Sequence, residues 1–304
     1  FKEEAERLAT IHHDLQGLNV VVATCPEIYN EFSGGKTDVS AIRDFTKMIY
    51  DRSKGGDHEL KYLLLFGNGY YDNRPNSTNK NNLVPVYESL NSIHESQTYV
   101  TDDFFGWLDD NEGGSDISAR MDIAVGRFPC TTVEEAKILV DKSETYIKGL
   151  DHGIWKKRVV VISDDGDSNE HLTNAEKLAS QIEKSMPQLN VKRIYQESYL
   201  PSKTATGIFY AGAFNDFTSA INDGSLIIDY VGHAGPTSLT ADNLFRQKDI
   251  QNWTNKTRLP LLITAACEFG PFDHGLYSSA EESVLYANGG FIGAIVSTRV
   301  VFSD

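Results

Sequence analysis

Two apolar runs in this chain each end on a residue capable of covalent chemistry. "SLIIDYVGHAGPTS", from Ser225 to Ser238, delivers His233 into a glycine-bracketed turn, and "LPLLITAACEFG", from Leu259 to Gly270, delivers Cys267 at its end. A thiol at its ordinary pKa is only a few per cent thiolate at neutral pH, and a neighbouring imidazole can take its proton or hold the thiolate as an ion pair. Gly232 and Gly235 let the backbone approach a substrate closely. The peptide N–H groups after His233, at Ala234 and Gly235, and the one at Cys267 can face a developing oxyanion. For either residue alone, a buried structural thiol or a satisfied turn histidine is the better reading. A nucleophile and a base on successive strand ends favour acyl transfer.

The elements that must hold these residues are legible as a βα alternation. "NVVVA", "YLLLF", "DIAVG", "RVVVIS", "SLIIDYV", "PLLITAA" and "FIGAIV" are short apolar runs, several bounded by Gly, Asp, Asn or Pro, and read as buried strands. Between them lie helical segments with start signals. Asp38 is a cap candidate for "DVSAIRDFTKMIYD", Thr131 or Thr132 for "TTVEEAKILVDKSETYIKG", and Gly289 stands where the helix in "SSAEESVLYANGG" would end. Such alternation predicts mostly parallel sheets flanked by helices, with catalytic residues at the carboxyl ends of the strands. A boundary near "KGLDHGIWKK" divides the chain into subdomains 1–152 and 153–304. The Asn-, Asp-, Gly- and Tyr-rich stretch 67–116 is too long for an ordinary connection unless it carries function or short elements of its own.

Other residues compete less well. Cys25 follows "NVVVA" without a histidine at a matching strand end, and Cys130 leads into a helix; both read as packing. His274 shares a Gly-bracketed loop with no strand behind it. Asp164 and Asp165 end "RVVVIS", but "SDDGDSNE" reads first as turn chemistry before a helix. That segment and "DDNEGGSD", 109–116, offer oxygen ligands for calcium without the spacing of an EF-hand.

The chain has 304 residues, enough for a large core, and a formal net charge of -15, which disfavours nucleic acid and anionic membranes. No apolar run approaches the roughly 18 residues of a membrane span. The sequence starts at Phe1 rather than Met, as expected for a piece of a longer protein. Three cysteines cannot all pair within the chain and have no metal-ligand spacing; sequons at Asn76, Asn252 and Asn255 read as chance matches in an Asn-rich chain.

"GHAG" followed by "TAAC" resembles the His-Gly and Ala-Cys signatures of caspase-hemoglobinase peptidases. "EIYNEFSGGKTDVSAIRDFTKMIYD", "YLLLFGNGYYD", "YVTDDFFGWLDD" and "MDIAVGRFPCTTVEEAKILVDKSETYI" resemble successive blocks of the gingipain family in that clan. The resemblance implies a caspase-hemoglobinase-like α/β fold of two side-by-side subdomains, with Cys267 as nucleophile and His233 as general base or acid, and no required cofactor. Asp102 matches an aspartate that in Arg-specific members lines the pocket for a basic residue, and it could equally cap a turn. Two departures stand out. Ala234 replaces the usual glycine after the histidine, and Asn68, with Asp102 a candidate for the substrate pocket, stands where gingipains place an acid near the site, so a third catalytic member is either missing or comes from elsewhere.

Within the family the resemblance is greatest to the type IX secretion sortases. It implies cleavage of C-terminal signal domains from secreted cargo, transfer to an amine on anionic lipopolysaccharide, other type IX components as partners, and the outer surface of a Gram-negative bacterium. A plain secreted endopeptidase and a non-catalytic cargo-binding module are the alternatives; Ala234 and Asn68 favour the module.

Overall fold

The computed structural model describes residues 1–74, 81–90, 98–113, 119–204, 207–240 and 244–301. The chain forms two compact units, one of Phe1–Val140 with Phe272–Leu276, the other of Asp141–Pro271 with Tyr277–Asp304. The sequence boundary after residue 152 lies beyond the end of α4 (Val133–Lys148), whereas this division falls inside that helix.

In the first unit, α1 (Lys2–Gln16), α2 (Cys25–Phe32) and α3 (Val39–Ser53) precede two strands, β1 (Tyr62–Phe66) and β2 (Ala124–Phe128), which pair in parallel. The helix starts follow local rules. Thr24 and Glu27 make a reciprocal capping box on α2, Asp38 accepts from the Ser40 amide at α3, and Thr132 and Glu135 bond each other's backbone at the start of α4. Ile28, Ile42, Leu65, Phe104, Phe105 and Trp107 form the core. The expected strand "NVVVA" does not form: residues 19–24 lie outside helix and strand, with Val21 80% exposed. An apolar run becomes a strand only where a ladder partner takes its peptide groups. Within 67–116 the described part supplies a short antiparallel pair, Tyr87–Glu88 with Val100–Thr101, and a 3₁₀ turn at Asp103–Gly106.

The second unit holds a five-stranded parallel sheet: β3 (Arg158–Ser163), β4 (Asn190–Tyr195), β5 (Ile227–Val231), β6 (Leu261–Thr264) and β7 (Gly293–Val296). Their spatial order is β7-β6-β5-β3-β4. Val160, Val161 and Ile162 are fully buried, as a strand covered on both faces requires. Helices α5 (Glu170–Ser185), α6 (Ala211–Asn222) and α7 (Ser279–Leu285) lie between strands in the chain, and α5 packs Ala175 and Ala179 against Val159 and Val161. Helix α7 opens on a Ser278–Glu281 capping box and stops at Leu285, short of the expected Gly289. From β3 the chain runs to β4 on one side and returns to β5 on the other. The order therefore reverses between β3 and β5, the crevice where open α/β sheets place their ligands. Among the described residues no helix is long and apolar enough to cross a membrane.

Candidate active site

Three strand ends converge at that reversal. In the β5/β6 ladder Tyr230 pairs with Thr264, and His233 and Cys267 each stand three residues beyond that pair. Neighbouring strands run about 4.8 Å apart, so parallel register alone brings the histidine and the cysteine to one edge at one level. Cys267 is half-buried and sits at a turn whose next residue, Glu268, has φ 50. A non-glycine residue there is strained, and such strain concentrates where geometry serves a site. The Cys267 thiol donates to the Val301 carbonyl at 3.3 Å. The 297–301 segment runs beside the cysteine turn, with Glu268 N–H donating to Arg299 O and Gly270 N–H to Ser297 O.

His233 is held from three sides. Its amide donates to Asp164 Oδ2 at 2.7 Å, its carbonyl accepts from the Tyr230 hydroxyl at 2.6 Å, and its Nε2 meets Asp167 Oδ2 at 2.7 Å. Asp164 is 2% exposed, and burial raises its pKa against the hydrogen bond from His233. Gly232 is required here: a Cβ on it would come within 2.5 Å of the Asp164 carboxyl and of the Tyr230 hydroxyl. Asp165 accepts from Tyr210 at 2.6 Å.

Ala234 raises no conformational difficulty, because the non-glycine residues with positive φ do not include it. It joins Gly235 in a two-residue strand paired antiparallel with Ser238–Leu239. The His233 amide, committed to Asp164, is not among the expected oxyanion donors, which are those of Ala234, Gly235 and Cys267.

Sequence reasoning missed Asp167 and His171. Asp167, Ser168 and Asn169 all have positive φ, at 43, 55 and 66, a strained run that sets the Asp167 carboxylate on the imidazole. His171, the second residue of α5, points its Nδ1 at Asp164 Oδ1, 2.5 Å away, and its ring meets that of His233 edge to face with centroids 5.0 Å apart. The run "SDDGDSNEH" reads as turn and cap residues, and turn and cap residues they are; which side chain they aim at is a tertiary fact.

The other candidates lie in the first unit. Asp102 is paired in a two-pronged ion pair with Arg127, both bonds 2.8 Å, and the same guanidinium donates to the carbonyls of Gly67, Val84 and Pro85. A substrate cation at Asp102 would share it with this resident partner. Asn68 is buried; its amide donates to Cys130 O, its carbonyl accepts from Leu83 and Val84, and its Oδ1 has no partner among the described residues. Burial raises the thiol of Cys25 and pushes that of Cys130 up to about 12, which keeps both protonated. His274 Nε2 is 3.8 Å from Asp273. Of the sequons, Asn255 in the second unit is fully buried and bonds both backbone groups of Gly290, so it carries no glycan; Asn76 lies outside the described residues.

Among the described residues, two groups of side chains could hold an ion. Asp109, Glu112 and Asp122 offer oxygens only; of the acidic loop 109–116, Asp116 lies outside the described residues. Asp164, His171 and His233 form a mixed set.

The model for Peptidase family C25 matches residues 1–304. No curated protein matches. Among solved structures, the Arg-specific cysteine proteinase gingipain R (RgpB) aligns at TM-score 0.67 and 17% identity over 99% of this chain. A complex of Porphyromonas gingivalis RgpB pro- and mature domains aligns at TM-score 0.64 and 17% identity over 98%. Each alignment spans only 62% of the RgpB chain. These matches fix a gingipain-like fold. Dimeric latent PorU from Porphyromonas gingivalis is 39% identical over 47% of this chain and 14% of its own, at TM-score 0.41, which establishes no shared fold.

Proposed function

We propose that this chain, which belongs to peptidase family C25 over residues 1–304, is a cysteine peptidase whose acyl-enzyme is resolved by an amine as well as by water. The observation that carries the peptidase reading is the equal register of His233 and Cys267 beyond the Tyr230–Thr264 pair, at the sheet's topological reversal. Asp167 on Nε2 leaves Nδ1 of His233 to take the thiol proton. The Cys267 thiolate attacks the scissile carbonyl, backbone N–H groups at Cys267 and in the Ala234–Gly235 turn hold the oxyanion, and the imidazolium returns the proton to the leaving amine. Asp167 fixes the ring and stabilises its charged form, the part an acidic third member plays.

The sortase half rests on the resemblance, within the gingipain family, to type IX secretion sortases. In that reading the substrate is cargo bearing a C-terminal signal domain, the acceptor an amine on anionic lipopolysaccharide, and the place the cell surface beside other type IX components. Calcium at the acidic loop 109–116 is an accessory to this reading, and no step needs it.

Intact-mass spectrometry of the wild-type chain and of Cys267→Ala, each given a cargo tail spanning its cleavage junction with and without an added amine, tests both halves. Cleavage lost in Cys267→Ala and retained in Cys25→Ala, with an amine-joined product, is expected. Cleavage without joining indicates an endopeptidase. A folded wild-type chain that binds the tail, forms no adduct and resists thiol-directed probes at Cys267 would be a binding module.

A further inference from the structure

We propose that Asp164, His171 and His233 form a binding site for a divalent transition metal of the zinc class, and that filling it withdraws His233 from catalysis. The regulatory half rests on the peptidase reading above; the metal site does not.

One ligand atom from each of the three residues lies within 4.8 Å of the other two. Four-coordinate zinc, with bonds of about 2.0–2.1 Å, holds its ligand atoms about 3.3 Å apart, so side-chain rotation is enough to close the set. Two imidazoles and one carboxylate suit zinc, whereas calcium takes oxygen throughout. The segment 164–170, which in sequence offers only oxygen ligands before His171, therefore acquires its metal preference from the fold.

An independent observation points to a cation. Asp164 is 2% exposed, yet neither its Oδ1 nor the buried Nδ1 of His171 makes a well-aligned hydrogen bond among the described residues. These two atoms face each other at 2.5 Å without the angles of a hydrogen bond. An ion bound by both, once they part to about 3.3 Å, would satisfy both. The surroundings already have the form of an outer shell: Asp164 Oδ2 is fixed by the His233 amide at 2.7 Å, and Asp167 Oδ2 stands 2.7 Å from Nε2 of His233 and 3.4 Å from Nε2 of His171. A carboxylate on the far nitrogen of a ligating histidine orients the ring and raises its basicity. His233 cannot both coordinate an ion and carry a thiol proton on the same nitrogen, so occupancy silences the base.

Cobalt(II) chloride titration of the intact chain, read by visible d–d absorption and competed by zinc, tests the site without any substrate. One equivalent is expected to bind, in wild-type and in Cys267→Ala alike. His171→Ala and His171→Gln, each checked for folding by circular dichroism, are expected to weaken binding at least tenfold. In a peptidase assay zinc should abolish cleavage, a chelator should restore it, and the zinc needed by His171→Gln should rise at least tenfold, referred to its own metal-free rate. Absence of stoichiometric binding overturns the proposal and leaves Asp164 and His171 as a close carboxylate–imidazole pair. Binding that survives both His171 variants and disappears in Cys267→Ala overturns it too, since the ligand would then be the thiol. If the chain binds cobalt as expected but cleaves nothing, the metal site stands and the peptidase reading fails by itself.

Discussion

Asp229 sets a carboxylate in the middle strand of the parallel sheet, between Val161 and Ile263 of its neighbours, and burial pushes its pKa up to about 6. The folded state therefore holds a proton there that the unfolded chain, titrating near the ordinary 3.8, has released. Between those values stability falls as pH rises, and above pH 6 the whole penalty is present. Asp229→Asn is expected to raise stability at pH 7.5 by about 2 kcal/mol and to give no gain at pH 3.5, measured by urea denaturation at both values. An equal gain at both would mean that the carboxylate is not the cause. The alternation of the strand shows a polar residue at 229, but not that covering elements bury it. The placement of Cys267 and His233 at neighbouring strand ends was legible because each ended an apolar run. Asp167 and His171 were not, since His233, which both approach, lies more than sixty residues away and becomes their neighbour only once β3 and β5 lie side by side.

At the scale of an element, Lys142 on α4 does the work that the sequence assigned to a glycine. Its ammonium donates to the carbonyls of Val284, Tyr286 and Gly289, at 2.6, 3.3 and 3.0 Å, and so caps α7. That cap explains how α7 ends at Leu285 without a glycine in the left-handed conformation next to it. A cap supplied from another helix leaves no trace in the local sequence, where Gly289 is the strongest stop signal. Burial lowers the pKa of Lys142 to about 7. From pH 7 to 10 the unfolded chain holds the proton that the folded state has lost, and stability from this group rises with pH. Lys142→Met is expected to cost about 2–3 kcal/mol at pH 7, because buried carbonyls lose their donor, and to flatten that rise. Urea titrations at pH 7 and pH 9.5 would show it; a slope identical to wild-type would mean that Lys142 titrates normally.

For the molecule as a whole, the two units differ in how their sheets are built. The second unit has three interior strands with covered faces, and Val160, Val161, Ile162, Ile228 and Leu262 are fully buried. The first has a two-stranded sheet in which Tyr62 is 63% and Leu64 39% exposed. Exchange of a backbone amide requires its local structure to open, and opening costs most where bonded strands lie inside a buried sheet. Amide hydrogen exchange is therefore expected to show β3, β5 and β6 protected longest and β1 and β2 losing protection first, by about two orders of magnitude in rate if local opening there costs some 3 kcal/mol less. Uniform protection across both sheets would mean that the units open as one. The site stands on the slow-exchanging strands: Cys267, His233 and Asp164 all extend from β6, β5 and β3. The Asp167–His171 approach belongs instead to a strained turn and the start of α5, which should exchange faster than the strands it adjoins. Cys267 and His233 thus extend from the strands expected to open last, and of the residues proposed to take a metal only His171 joins them through a part that can rearrange without unpairing the sheet.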